Sequence, residues 1–316
     1  MARKVIIDCD PGIDDAVAIS MALFDPRIDL VAVTATAGNV PAEQASRNVQ
    51  AIIERLDPPR FPRLGAATFA EGCAGTDNRL MHGDDGLGNQ GFVVSRLHHQ
   101  HPSEKVICDA VRADPHGVTL VCLGPLTNIA RAFQRDPELP VLVDRLVISG
   151  GCVDGVGNVT AVAEFNMFFD ANSARTVFRS PVTKTLVPLD VTRTVRLTLD
   201  FLDRLPPETT RVGGFLRRIL PFTYRAYHQR LGQESILLHD VVTLVSVLEP
   251  ALFECTEMSG DVETRGELTL GLTVFDRRHS PQWRANMDVA RRADPEKVID
   301  CMVNSLSLAG SAAAGE

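Results

Sequence analysis

The chain carries seven cysteines but no Cys-x-x-Cys pair. That scatter argues against a zinc site or a disulfide framework and for reduced thiols, the pattern of a cytoplasmic protein. An excess of positive charge is missing too: the formal net charge is −8 and the pI about 5.5, so no basic field invites nucleic acid or an anionic membrane. No apolar stretch approaches membrane-spanning length. Only Val5, Ile6 and Ile7 separate Met-Ala-Arg-Lys from Asp8, too few for a secretory signal. Neither a repeat nor a linker divides the sequence. A single domain over residues 1–308 is expected, with 309–316 a disordered tail of small residues. The hydrophobic share of 45% is enough for a substantial core.

What the sequence does have is acid, concentrated at one place. Asp8-Cys9-Asp10-Pro11-Gly12-Ile13-Asp14-Asp15 puts four carboxylates into eight residues. Val5-Ile6-Ile7 before it reads as a buried strand, Pro-Gly as a sharp turn, and the apolar spacing after it as a helix. Asp10 then stands at a strand's carboxyl end, with Asp14 and Asp15 in the first turn of a helix. A helix N-terminus favours negative charge, but too weakly to hold four acids together. Their repulsion calls for protons or for a hard divalent cation such as Ca²⁺ or Mg²⁺. The plainer alternative is that Asp14 caps the helix and the other three are solvated.

Strand-like and helical runs alternate through most of the chain. Strands are expected at 28–37, 118–123, 146–149 and 185–189, and helices at 41–56, 106–113 and from 126 to 133. That alternation predicts an α/β fold, a mostly parallel open sheet covered by helices. Ligands of such sheets bind beyond the strands' carboxyl ends, so Asp10, Asn39, Leu123-Gly124, Gly150-Gly151 and Asp190 should share one rim. Residues 65–95 read as a long loop. Residues 197–231, helical and aromatic, read as an insertion beside the rim. A helix over 236–248 interrupted by His239-Asp240, a late antiparallel strand over 267–275 and a closing helix over 295–306 complete the pattern.

Three further clusters could carry chemistry. Asp240 sits in an apolar run, where an ionised carboxylate needs a partner or a metal; a helix face turned to water, or a structural His–Asp pair, would look the same. Asn158, Glu164 and Asn166 fall in one short stretch. Amides and a carboxylate suit sugar hydroxyls, which both donate and accept, although loop residues meeting only water would look identical. His82, among glycines, could act on a substrate or be an ordinary loop histidine. Gly83-Asp84-Asp85-Gly86-Leu87-Gly88 lacks the strand and helix that a dinucleotide site requires. His98-His99-Gln100-His101 reads as an exposed polar loop.

Residues 8–16 (Asp-Cys-Asp-Pro-Gly-Ile-Asp-Asp-Ala) resemble the signature of the inosine–uridine-preferring nucleoside hydrolases. Further matches follow in order at 37–39, 82–88, 124–130, 163–166, 189–192, 239–240 and 268–271, so the resemblance spans residues 3 to about 300. It implies a nucleoside-hydrolase-like fold and hydrolysis of ribonucleosides to ribose and free base, with bound Ca²⁺, in nucleoside salvage, by a homodimer or homotetramer. Carried over, Asp10, Asp15 and Asp240 and the carbonyl of Leu123 would hold the calcium. Asp10 would also act as general base on a calcium-bound water. Asp14 would take the ribose 2′-OH, Asn166 the 3′-OH, Asn158 and Glu164 the 5′-OH, and Asn39 would support sugar and water. His239 and His82 would stand on the base side, where a histidine titrating near neutrality could protonate the leaving base. Thr223 and Tyr227, where purine-tolerant members present aromatic residues, point to pyrimidines. Two alternatives stay open. A calcium-dependent nucleoside binder would keep the metal and diol ligands without catalysis. A phosphatase of the haloacid dehalogenase type would use Asp8 and Asp10, although Gly12 departs from that pattern.

Overall fold

The computed structural model describes residues 2–69, 73, 78–95 and 101–312. Strand β1 (Arg3–Cys9) is buried from Val5 onward. Both its faces are covered, which is why it reads as a continuous apolar run. Pro11 and Gly12 end it, and α1 (Ile13–Ala22) follows. The chain goes on through β2 (Ile28–Ala35), α2 (Ala42–Leu56), β3 (Arg63–Ala66) and the single turn α3 (Arg79–His82). Next come β4 (His101–Pro102), α4 (Ser103–Ala113), β5 (Val118–Cys122), α5 (Thr127–Arg135), α6 (Leu139–Leu142) and β6 (Arg145–Ser149). A loop leads to α7 (Phe165–Phe169), α8 (Ala171–Arg179), β7 (Lys184–Val187) and α9 (Leu189–Thr192).

The insertion opens with β8 (Leu197–Thr198), carries α10 (Arg211–Ala226) and a π-helical turn over Tyr227–Leu231, and closes with β9 (Ser235–Ile236) antiparallel to β8. The chain finishes with α11 (His239–Leu248), β10 (Phe253–Met258), β11 (Gly260–Val262), β12 (Thr273–Phe275), β13 (Met287–Ala293) and α12 (Pro295–Ala312).

Among the described residues, nine strands form one open sheet in the order β10-β13-β7-β6-β5-β1-β2-β3-β4, with each pairing parallel except β10 with β13. One apolar core packs α1, α2, α10, α11 and α12 on one face; a second packs α4, α5 and α8 on the other. The α/β architecture expected from the alternation is therefore present. Its order runs outward from β1 in both directions, so the switch point lies between β1 and β5, where a crevice opens at the strands' carboxyl ends.

Several elements differ from expectation. The helix near His239 begins at that residue, and Ile236 belongs to β9. Of the late strand only Thr273–Phe275 is extended, paired with β11 outside the main sheet, because the chain turns through Gly271 at φ 78°. The sequence pattern does not mark strands β3, β4, β10 and β13; all four lie at or next to a sheet edge, where half-exposed residues leave little apolar pattern. Helix α12 runs past Leu306 to Ala312. Ala309 is fully buried and Gly310 packs on Pro206, so the small residues expected to be a loose tail instead allow close packing. Residues 313–316, and His98, His99 and Gln100, lie outside the described residues.

Candidate active site

Above the switch point lies a cavity of about 330 Å³. It is lined from the strand ends by Asp10, Asn39, Leu123, Ser149 and Gly150, and from the insertion by Thr223 and Tyr227. Asp190, expected on the same rim, is not in the lining. Its carboxylate accepts from the N–H groups of Val153 (2.7 Å) and Asp154 (3.0 Å), so it anchors the loop after β6.

The floor is acidic. Asp14, Asp15 and Asp240 bring carboxylate oxygens within 4.8 Å of one another. Two helices start here: Asp15 is in the first turn of α1 and Asp240 in the first turn of α11. Asp10 stands beside this trio, with Oδ2 accepting from the Asn39 N–H at 2.6 Å. A Cβ on Gly38 or Gly124 would run into the Asp10 carboxylate, so the rim approaches closely only because both are glycine. Asp10, Asp15 and Asp240 are 1%, 0% and 5% exposed. Burial first, and the neighbouring acids second, push all three carboxyls well above the ordinary range. Asp15 Oδ2 accepts from the Gly12 N–H at 2.8 Å and Asp240 Oδ1 from the Ser149 hydroxyl at 3.1 Å. Among the described residues, buried Asp14 Oδ1 and Asp15 Oδ1 have no hydrogen-bond partner. Orphaned acceptor oxygens in a cluster of acids are what a hard cation would satisfy, so the donor set fits a divalent ion.

Asp8, the fourth acid of the opening motif, takes no part in the lining. Its Oδ1 accepts from Thr34 Oγ1 (2.6 Å) and Asn128 Nδ2 (2.8 Å), and burial raises its pKa to about 7. A phosphatase built on Asp8 and Asp10 would need both in the cavity, which removes that alternative.

The amides sit along one wall. Asn166 Nδ2 donates to the carbonyls of Leu123 (2.7 Å) and Ser149 (3.1 Å), which leaves its Oδ1 to face a ligand as acceptor. Glu164 caps α7, its Oε2 accepting from Gly151 N (3.0 Å) and Met167 N (3.1 Å). Asn158 lies exposed at the mouth, and its Oδ1 accepts from the Phe165 N–H at 2.9 Å. Asn39 donates through Nδ2 to the Asp10 carbonyl (3.2 Å) and accepts from Asn78 (2.6 Å).

His82 and His239 line the cavity as well, His82 with Nδ1 3.9 Å from Asp14 Oδ1. His82 Nδ1 accepts from the Ile13 N–H at 3.1 Å, and His239 Nδ1 is 2.6 Å from Thr192 Oγ1. Burial lowers both pKa values, that of His239 to about 4 against the partial opposition of the Asp14 charge. In both rings burial disfavours the imidazolium form. Buried Thr223 Oγ1 has no hydrogen-bond partner among the described residues, and burial takes the Tyr227 hydroxyl up to about 12.

The model of the family described as inosine-uridine preferring nucleoside hydrolase matches residues 5–300. The pyrimidine-specific ribonucleoside hydrolase RihA of Shewanella sp. (strain ANA-3) is 34% identical over 98% of this chain and 97% of its own. The non-specific ribonucleoside hydrolase RihC of Escherichia coli O7:K1 is 36% identical over 98% and 100%. The purine-preferring ribonucleoside hydrolase from Gardnerella vaginalis superposes with a TM-score of 0.90 at 30% identity, covering 98% of this chain and all of that one. The chain belongs to the inosine-uridine preferring nucleoside hydrolases. It is a nucleoside hydrolase by sequence and by fold.

For this nucleoside hydrolase the sequence motifs supplied most of the lining, and the structure adds residues they did not mark. Ser149 precedes Gly150-Gly151 at the end of β6, a rim position that strand-end reasoning could have included. Asn78, which fixes the Asn39 amide, lies in a stretch without periodicity and gave no signal. Arg193, beyond α9, donates to the carbonyls of Val156 (2.9 Å) and Gly157 (2.6 Å) and so steadies the loop that carries Asn158. No described helix is long and apolar enough to cross a membrane.

Proposed function

We propose that the chain hydrolyses the N-glycosidic bond of ribonucleosides to ribose and free base with a divalent cation, Ca²⁺, at Asp10, Asp15, Asp240 and the Leu123 carbonyl. The observation that carries this reading is the buried acid cluster with orphaned oxygens beneath a cavity walled by sugar-compatible amides. Asp14, with a carboxylate oxygen within 4.8 Å of those of Asp15 and Asp240, would take the ribose 2′-OH beside the cation. The bound ion would supply the positive charge that lets these acids ionise together and a hold on the sugar's vicinal hydroxyls.

The chain's own groups do the rest. Asp10, held by the Asn39 N–H, takes the proton of the attacking water. The acids under the ribose stabilise the oxocarbenium-like charge as the glycosidic bond stretches. Asn166 accepts the 3′-OH through the one amide atom left free, and Glu164 with Asn158 takes the 5′-OH. His239 and His82 face the departing base. Thr223 and Tyr227 contact the base itself, and a pyrimidine is the preferred one, in keeping with the 34% likeness to a hydrolase named pyrimidine-specific. The family's homodimer or homotetramer is carried over as part of the proposal and is read by sedimentation of the purified chain.

The deciding experiment is release of reducing sugar from a panel including uridine, cytidine, inosine and adenosine, with Ca²⁺ and without phosphate. Turnover with uridine foremost is expected. Tight nucleoside binding without turnover would leave a non-catalytic binder, and inosine foremost would overturn the base preference.

A further inference from the structure

Thr192 closes α9 with its side chain 1% exposed, and its hydroxyl lies 2.6 Å from Nδ1 of His239. Among the described residues that hydroxyl has no other hydrogen-bond partner. A buried hydroxyl proton needs an acceptor. Nδ1 is the acceptor on offer, so Thr192 donates, Nδ1 carries no proton, and the ring's proton resides on Nε2. His82 reaches the same state independently. The backbone N–H of Ile13 points at its Nδ1 from 3.1 Å, and an amide can donate only to an unprotonated ring nitrogen. Both rings line the cavity with Nδ1 engaged by the protein, which leaves an Nε2–H on each for a ligand.

We propose that Thr192 is a positioning residue that holds His239 in the neutral Nε2–H tautomer, so that His239 and His82 form a pair of N–H donors for acceptor atoms of the nucleoside base. The inference deepens the nucleoside-hydrolase reading and rests on it for the identity of the ligand. A neutral imidazole of this kind helps a leaving group by hydrogen bonding to the charge that builds on it, and keeps its own proton. The bonding pair of the glycosidic link goes to the base nitrogen, the water oxygen bonds C1′, the water proton goes to Asp10, and the base takes its proton from solvent. Such a pair also favours bases presenting acceptors to both rings.

The test combines nitrogen NMR with kinetics on the full chain. In ¹⁵N-histidine-labelled protein, His239→Ala identifies the ring's signals by removing them. The wild type should show His239 with unprotonated Nδ1 and protonated Nε2; a proton on Nδ1 overturns the proposal whether or not any nucleoside is hydrolysed. Thr192→Val should shift the tautomer balance and lower kcat for uridine about tenfold, the worth of one hydrogen bond, with KM little changed. Thr192→Ser should restore both. Thr192→Val should leave p-nitrophenyl riboside unaffected and add nothing on a His239→Ala background. Equal losses with both substrates, or an undiminished loss on that background, would make Thr192 merely structural. If Thr192→Val does not fold, the wild-type spectrum and Thr192→Ser decide. Failure of the hydrolase reading would look different: no turnover in any variant with the tautomer intact.

Discussion

Asp10 and Asp8 are two residues apart and have opposite physical situations. Asp10 faces the cavity, held by one backbone N–H. Its removal as a base should be close to complete: we expect Asp10→Asn to lower kcat/KM for uridine by at least about a thousandfold, the upper part of the range for a general base. Asn158→Ala, at the exposed mouth, should cost about tenfold, mainly through KM. Comparable mild losses in the two would contradict the assigned roles. Asp8 is walled off by Thr34 and Asn128, with Oδ2 buried and unpartnered. Its folded pKa of about 7 lies above the ordinary 3.8. A carboxyl raised in this way contributes its stability fully below about pH 4, and that contribution is lost as pH rises through 7. Asp8→Asn keeps the acceptor oxygen and drops the charge. Urea unfolding of variant and wild type should then show Asp8→Asn more stable by about 1–3 kcal/mol at pH 8, the gap closing towards pH 5. A gap independent of pH would mean that Asp8 stays protonated throughout or is ionised at no cost.

At the scale of elements, the site is the meeting of two helix N-termini with four strand ends. The packing of α1 against α11 brings Asp15 and Asp240 together from 225 positions apart in the sequence, 240 less 15. A cation that binds only this folded arrangement must stabilise it by mass action. Chelator should lower the melting temperature and Ca²⁺ raise it in proportion to the logarithm of its concentration, with Asp240→Asn abolishing the response. A Ca²⁺-independent melt in the wild type would remove the ion from the floor. The end of α12 provides a separate check away from the chemistry. A Cβ on Gly310 would lie 2.7 Å from Pro206 Cβ, so Gly310→Val should destabilise the chain by about 1–3 kcal/mol through overpacking, measured by urea unfolding. A neutral result would mean that this turn of the helix gives way freely.

For the molecule as a whole, the net charge of −8 repels anions and leaves neutral nucleosides unsteered. With Ca²⁺ saturating, kcat/KM should change less than about twofold as salt takes the Debye length from roughly 10 Å towards 3 Å. A steep fall would indicate a charged substrate.

The local part of this molecule was legible from residues alone. The strand–turn–helix around Asp10, the α/β alternation and the rim follow from hydrophobic period, Pro-Gly breaks and the geometry of parallel sheets, all of which act over neighbouring residues. The family resemblance then gave roles to Asp240, Asn166 and His239, which the residue pattern had already singled out. What only the tertiary structure decided were the properties that depend on distant neighbours. Asp8 was set aside from the cavity by Thr34 and Asn128, Asp190 became a loop anchor, and two histidines were buried and bonded at Nδ1. The unpatterned edge strands and Asn78 joined late for the same reason. Sequence spacing records which side chains share an element, whereas burial and hydrogen bonding, which fix charge and tautomer, are set by groups that meet only when the sheet closes.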